Sequence, residues 1–332
     1  MYSELLVSTA AAVATVAVGV IAAAAIVFTA CFMQTKKLKV TRLYADRYAE
    51  VKKPAKLRKN KRTDQKTDAY PPANSDKKDE EVLPLCRIGL ISDLHFPMLY
   101  VNTDDVIYTL AKEDCDLIAV TGDLCQNAKG KTAMLAFMKK LSESLKGVPI
   151  LVVPGNHDVS YVCKKDPLKI QEYFREVESC GGNIKVLRNE TASVELKGSG
   201  SRIVAAGFDE KLIGDKNRYI GTFEKALSEA GEKDKLLLLM HNPDIMEHVS
   251  EAVKKGGKYS VALAGHTHGG QVYIPFNLEF ELLRDDSLPR KGFVYGLYEY
   301  CENNRLYITC GLGQSLLPVR LGTVPEIAFI CF

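Results

Sequence analysis

No C-x-x-C pair occurs in this sequence, no basic residue precedes its first apolar run, no repeat or low-complexity tract interrupts residues 82–332, and only six histidines are spread over 332 residues. The nine cysteines, an odd number, stand apart at Cys31, Cys86, Cys115, Cys125, Cys163, Cys180, Cys301, Cys310 and Cys331. This excludes a disulfide framework or a zinc ribbon. Cys301, Cys310 and Cys331 lie among strand-like apolar residues and read as small buried hydrophobes, which suits a reducing compartment. The missing basic n-region argues against a secretory signal sequence. At 46% hydrophobic and 26% charged, the chain is too apolar for disorder and too charged for a polytopic membrane protein.

What is present begins with an uncharged run of 29 residues, Leu5 to Met33. At about 1.5 Å per residue it exceeds the roughly 30 Å hydrocarbon core of a bilayer, so residues 1–34 are expected to be a transmembrane anchor. Residues 36–66 carry a net charge of +10, with three acids, Asp46, Glu50 and Asp64, among the basic residues. Positive flanks stay on the cytoplasmic side, which predicts that the rest of the protein is cytoplasmic. The simplest partner of this stretch is anionic lipid headgroups at the bilayer surface, ahead of nucleic acid. Residues 35–81 are expected to be a basic and polar linker, and residues 82–332, with a net charge of −3, a single large domain.

Within that domain, continuous apolar runs at 86–92, 116–122, 149–155, 202–208, 235–240, 259–265, 293–300, 305–311 and 326–332 predict strands buried on both faces. Helix-period segments at 103–113, 131–145, 167–178, 222–229 and 243–254 lie between them, giving a layered α/β architecture with two sheets enclosed by helices.

The chemistry sits where strands end. Successive runs finish in Ser92-Asp93-Leu94-His95, Gly122-Asp123, Gly155-Asn156-His157-Asp158, His241-Asn242 and His266-Thr267-His268-Gly269-Gly270-Gln271. All the histidines except His248 fall in these motifs. Ligands of open α/β sheets collect beyond the carboxyl ends of strands. Asp-x-His and His-x-His place two side chains on one face of an extended strand end. Carboxylates and imidazoles without thiolate suit divalent Mn, Fe or Zn, and so many ligands suggest two ions sharing Asp123. Glycines before Asp123, Asn156 and His266 are expected to let the backbone turn. Asp158 reads as a turn or cap residue rather than a ligand.

In this order, D-x-H, G-D, G-N-H-D, a strand-terminal H and G-H-T-H-G-G-Q resemble the calcineurin-like metallophosphoesterases, and the anchor and the tail GLGQSLLPVRLGTVPEI are most similar to their membrane-associated bacterial YaeI/YkuE-type branch. The resemblance implies a four-layer αββα sandwich with a binuclear centre. One metal would take Asp93, His95, Asp123 and His268; the other would take Asp123, Asn156, His241 and His266. Asn156 and His157 would act on the scissile phosphate, attacked in line by a hydroxide bridging the metals. Many phosphoprotein phosphatases of the superfamily have an Asp where this chain has Gln126, and purple acid phosphatases have a Tyr there. Gln126 lacks the charge that would raise the pKa of His157.

The implied activity is hydrolysis of a phosphodiester or lipid-linked pyrophosphate, with UDP-diacylglucosamine diphosphatases among the relatives. A nuclease using the basic stretch as an arm and a metal-binding scaffold without turnover are the alternatives. The segment from Phe276 to Lys291, with Arg284, Arg290 and Lys291, reads either as a packed loop or as a lid pairing a second phosphate, and Arg320 as structural.

Overall fold

A computed structural model of the chain describes residues 2–45 and 86–332, except 197–198, 213, 273, 275–277, 283 and 302–303. Most of the expected linker, residues 46–81, therefore lies outside the described residues.

The chain starts with helix α1 (Tyr2–Gln34), followed by strand β1 (Lys39–Tyr44). The region from residue 86 onward runs β2 (Arg87–Ile91), α2 (Thr103–Lys112), β3 (Leu117–Val120), α3 (Lys131–Ser144), β4 (Ile150–Val152), α4 (Pro167–Ser179) and β5 (Ile184–Val186). It continues with β6 (Glu190–Glu195), β7 (Arg202–Gly207), α5 (Lys216–Glu229), β8 (Lys235–Leu239), α6 (Ile245–Lys254) and β9 (Val261–Ala264). Short helices α7 (Leu278–Leu282) and α8 (Ser287–Arg290) precede β10 (Gly296–Glu299), β11 (Arg305–Ile308) and β12 (Glu326–Cys331).

Two six-stranded sheets result, ordered β1-β12-β2-β3-β4-β5 and β10-β11-β9-β8-β7-β6. Side-chain alternation makes the layers. In the first sheet Leu117, Ala119 and Leu151 face Ile203, Ala205, Leu237 and Leu263 of the second, while Ile118, Val120 and Ile150 turn outward onto α2, α3 and α4. Val204, Ala206, Leu236 and Leu238 turn the other way, onto α5 and α6. Each strand is apolar on both faces because both faces are covered. The result is the four-layer αββα sandwich.

β2, β3, β4 and β5 are parallel, as are β7, β8, β9 and β11, so their carboxyl ends share one edge of each sheet. β12 is antiparallel to β2 and starts at that edge.

Two features depart from expectation. β1 belongs to the segment expected to be linker, yet it pairs in parallel with β12 along its whole length, from Lys39↔Glu326 to Tyr44↔Cys331. Buried Glu326 anchors it by accepting from Thr41 Oγ1 at 2.6 Å. The helix expected over 222–229 starts six residues earlier, at Lys216, behind the cap Asp215, whose side chain accepts from Asn217 N. In α1, Val16–Gln34 is long and apolar enough to cross a membrane, and its side chains face outward, Ile21 at 68% and Ile26 at 70% exposure.

Candidate metal centre

Five parallel strands deliver the chemistry to one place: β2 leads to Asp93 and His95, β3 to Asp123, β4 to Asn156 and His157, β8 to His241, and β9 to His266 and His268. The pairs Asp93/His95 and His266/His268 do not use an extended strand end, as the two-residue spacing suggested. All four, and Asp123, have left-handed backbones with φ between 49° and 74°. Non-glycine residues seldom adopt this region, and such strain persists where surrounding contacts fix it. The glycines also differ from expectation. Gly122 has φ 81°, but Gly155 is needed for close approach: a Cβ there would stand 2.1 Å from Asp123 N.

Asp123 is at the middle. Its Oδ2 lies 3.3 Å from His95 Nε2 and 3.3 Å from His241 Nε2. On one side, His95 Nε2 faces His268 Nε2 at 3.0 Å, and His268 Nε2 lies 3.4 Å from Asp93 Oδ1. On the other, Asn156 Oδ1 is 3.0 Å from His241 Nε2 and 2.9 Å from His266 Nδ1. The structure thus gathers every residue expected to hold metal, in two groups that share Asp123.

The electrostatics suit cations. Burial lowers His95 to about 3, and burial together with His95 and Arg320 holds His268 well below the usual imidazole range, so both rings present neutral lone pairs. Burial opposes charge on Asp123, but His241 and His95 outweigh it and keep its carboxyl well below the usual range. Burial likewise opposes charge on His241, and Asp123 overrides it, lifting that imidazole to about 10. A buried carboxylate surrounded by imidazoles draws positive charge to this point. Buried trios such as Asp93/His95/His268 and Asp93/Asp123/His241 have ligand atoms within 4.8 Å of one another. Carboxylate, imidazole and amide oxygen donors without thiolate fit divalent ions of intermediate hardness.

His157 lies against this group, with a ring nitrogen within 4.8 Å of ligand atoms of His95 and Asp123. Its backbone N–H donates to Asp123 Oδ1 at 2.7 Å, and its ring meets His95 edge-on at 4.6 Å. Nδ1 lies 3.2 Å from the main-chain oxygen of Gln126, and Nε2 lies 3.4 Å from Ser315 Oγ. The side-chain oxygen of Gln126 is buried with no hydrogen-bond partner. The missing carboxylate is therefore replaced by a backbone carbonyl, a partner no side-chain motif reveals. Asp158 acts as a pin: it accepts from Leu124 N, Cys125 N, Gly155 N and Tyr173 Oη, and burial raises it to about 7.

Sequence reasoning missed Asp286, whose Oδ1 lies 3.0 Å from His266 Nε2 and orients that ring. Arg284 donates from Nε to Asp286 Oδ2 at 2.8 Å and sets Nη2 3.0 Å from His266 Nε2. The segment is packed on the site: Arg290 and Lys291 pair with Asp285 and Glu247, so Arg284 alone of the three basic residues reaches the centre. Arg320 is fully buried and donates to the carbonyls of Cys310, Gly311 and Gly313. His248 stacks on Tyr219, with no part in the centre.

Comparison with known proteins agrees with this chemistry. The metallophosphoesterase YkoQ of Bacillus subtilis is 26% identical over 239 residues, covering 72% of this chain and 80% of that protein. YkuE of the same organism is 29% identical over 250 residues, covering 73% and 77%. A transmembrane protein with metallophosphoesterase domain from Danio rerio is 28% identical over 250 residues; the match covers 74% of this chain but 52% of that protein. The profile of the calcineurin-like phosphoesterase family matches residues 86–270, more than half of the sequence, and takes in every motif from Asp93 to His268; the chain belongs to that family and is a metal-dependent hydrolase of phosphoric esters.

Proposed function

We propose that the chain is a membrane-anchored phosphoesterase with a binuclear metal centre, acting on a phosphodiester or a lipid-linked pyrophosphate. The observation that carries this reading is the equal 3.3 Å separation of Asp123 Oδ2 from His95 and His241, the position of a bridging ligand. Asp93, His95, Asp123 and His268 would hold one cation, and Asp123, Asn156, His241 and His266 the other. Such a pair supplies a water of lowered pKa and charge for the phosphoryl oxygens.

The protein's own groups do the rest. Main-chain Gln126 O accepts from Nδ1 of His157 and holds the ring, so Nε2, beside Ser315 Oγ, is the ring nitrogen left to face a phosphoryl oxygen, to which it would donate once protonated. The Asn156 amide oxygen sits between His241 and His266, leaving its amide nitrogen to donate to a phosphoryl oxygen. Arg284, half-buried beside His266, supplies a fixed positive charge at the rim. Lys36, Lys37 and Lys39, directly after α1, support a cytoplasmic catalytic region.

The test is hydrolysis of bis(p-nitrophenyl) phosphate by the full chain with added Mn, followed by a panel of monoesters, single-stranded DNA and nucleotide-lipid pyrophosphates. Diester and lipid-pyrophosphate turnover is expected. Turnover of monoesters alone would overturn the substrate class, and turnover of single-stranded DNA alone would mark a nuclease.

A further inference from the structure

The way α1 joins the catalytic region bears on how substrate arrives. Only residues 35–38 separate the helix from β1, and β1 begins at the edge of the first sheet where the metal centre lies, because Lys39 pairs with Glu326 at the start of β12. The helix end is fastened there directly. Arg320 N donates to Cys31 O at 3.1 Å, Cys31 and Thr35 are buried, and the Phe32 ring packs edge-on against Tyr100 at 5.3 Å. The same Arg320 sends its guanidinium to the carbonyls of Cys310, Gly311 and Gly313, and 3.5 Å from His268 Nδ1. One residue thus touches both the last turn of the apolar helix and the loop that supports the metal centre.

The loop from Ser315 to Leu321 presents apolar side chains outward. Leu316 is 76% exposed, Leu317 58% and Leu321 46%. Leu316 is held at φ 62°, a costly conformation for leucine, by the Gln271 side chain, which accepts from Ser315 N and donates to the oxygens of Ser315 and Leu317. Ser315 Oγ in turn lies against His157 Nε2. Exposed leucines on a loop fixed by Gln271, beside a membrane-length helix, are what an interfacial insertion loop requires. The described residues on either side of positions 46–85 lie at the other edge: Ala45 N donates to Cys331 O and Phe332 N donates to Cys86 O, both at the far end of β12. The six residues of β1 separate that end from the helix by about 20 Å.

We propose that Leu316, Leu317 and Leu321 form with the end of α1 a single bilayer-embedded rim, so that the catalytic cleft opens into the headgroup layer and receives phosphoesters carried by lipids of that leaflet. This rests on the phosphoesterase reading above and adds the surface and the direction of approach.

The chain has no tryptophan, so Leu316→Trp and, at the opposite edge, Lys146→Trp each introduce a single reporter. The full-length proteins are reconstituted into phosphatidylcholine/phosphatidylglycerol vesicles with and without brominated phosphatidylcholine. Blue-shifted emission quenched by bromolipid is expected for Leu316→Trp, with Lys146→Trp unquenched. Emission at position 316 that is quenched by aqueous iodide, or shielded from both quenchers as a protein partner would make it, overturns the proposal. A second arm uses Leu316→Ser/Leu317→Ser/Leu321→Ser. Its hydrolysis of a vesicle-embedded phosphodiester lipid is expected to fall about tenfold while that of soluble bis(p-nitrophenyl) phosphate holds. An equal fall on both, or none on the lipid, contradicts the rim. If neither substrate is turned over by the parent protein, the phosphoesterase reading fails, whereas the quenching result still decides the membrane contact.

Discussion

The two halves of the metal centre are built differently. Asp93, His95 and His268 are buried on every side, and their neighbours are the backbones of the β2 and β9 ends and the Arg320 guanidinium. Asn156 and His266 are half-buried, and His266 is steadied by Asp286 and Arg284 from the segment after β9. The first half is a sealed socket, set by strand ends and neutral imidazoles. The second is the more open half: Asn156 and His266 are partly exposed beside the fully buried Asp123 and His241, and the setting of His266 depends on a later, less regular part of the chain.

The largest effect should come from removing the residue common to both halves. Asp123→Ala is expected to lose bound metal and to lower diester hydrolysis by at least about 10³-fold, measured by elemental analysis beside kcat. If one full equivalent of metal stays bound, the halves are independent. His157→Ala removes the ring proposed to face the phosphoryl group; although that ring lies against His95 and Asp123, metal content should hold while kcat falls about 10²–10³-fold. Asp286→Asn touches only the open half. It should weaken metal binding there by about 10–100-fold, leaving the sealed half at parental affinity in a two-step titration. A uniform loss at both steps would erase the distinction. The smallest effect is expected from Tyr173→Phe, which removes one bond to the Asp158 pin; a cost of about 1 kcal/mol, read from thermal unfolding, should leave metal binding intact.

Much of this was legible in the chain, for reasons that also explain what was not. The central strands announce themselves because both faces are buried, so Arg87–Ile91 or Lys235–Leu239 has no polar alternation to blur it. β1, β5 and β6 escaped, and each lies at a sheet edge. Edge strands are half-solvated and short or mixed in character, as in Ile184–Val186 and Glu190–Glu195. The ligand residues were legible because histidine is rare and the motifs end strands. The left-handed backbones of Asp93, His95, Asp123, His266 and His268 were not, since no residue type there demands positive φ. Main-chain Gln126 O, the partner of His157, carries no sequence signal at all, and Asp286 sat within a segment whose charges pointed to substrate rather than to His266.

The central claim is that one carboxylate, Asp123, joins two cations. Electron paramagnetic resonance of the full-length protein loaded with Mn(II), read together with elemental analysis, tests it most directly. Two manganese ions per chain with an exchange-coupled spectrum are predicted, collapsing in Asp123→Ala. A single ion per chain, or two giving only the uncoupled six-line signal, would contradict it.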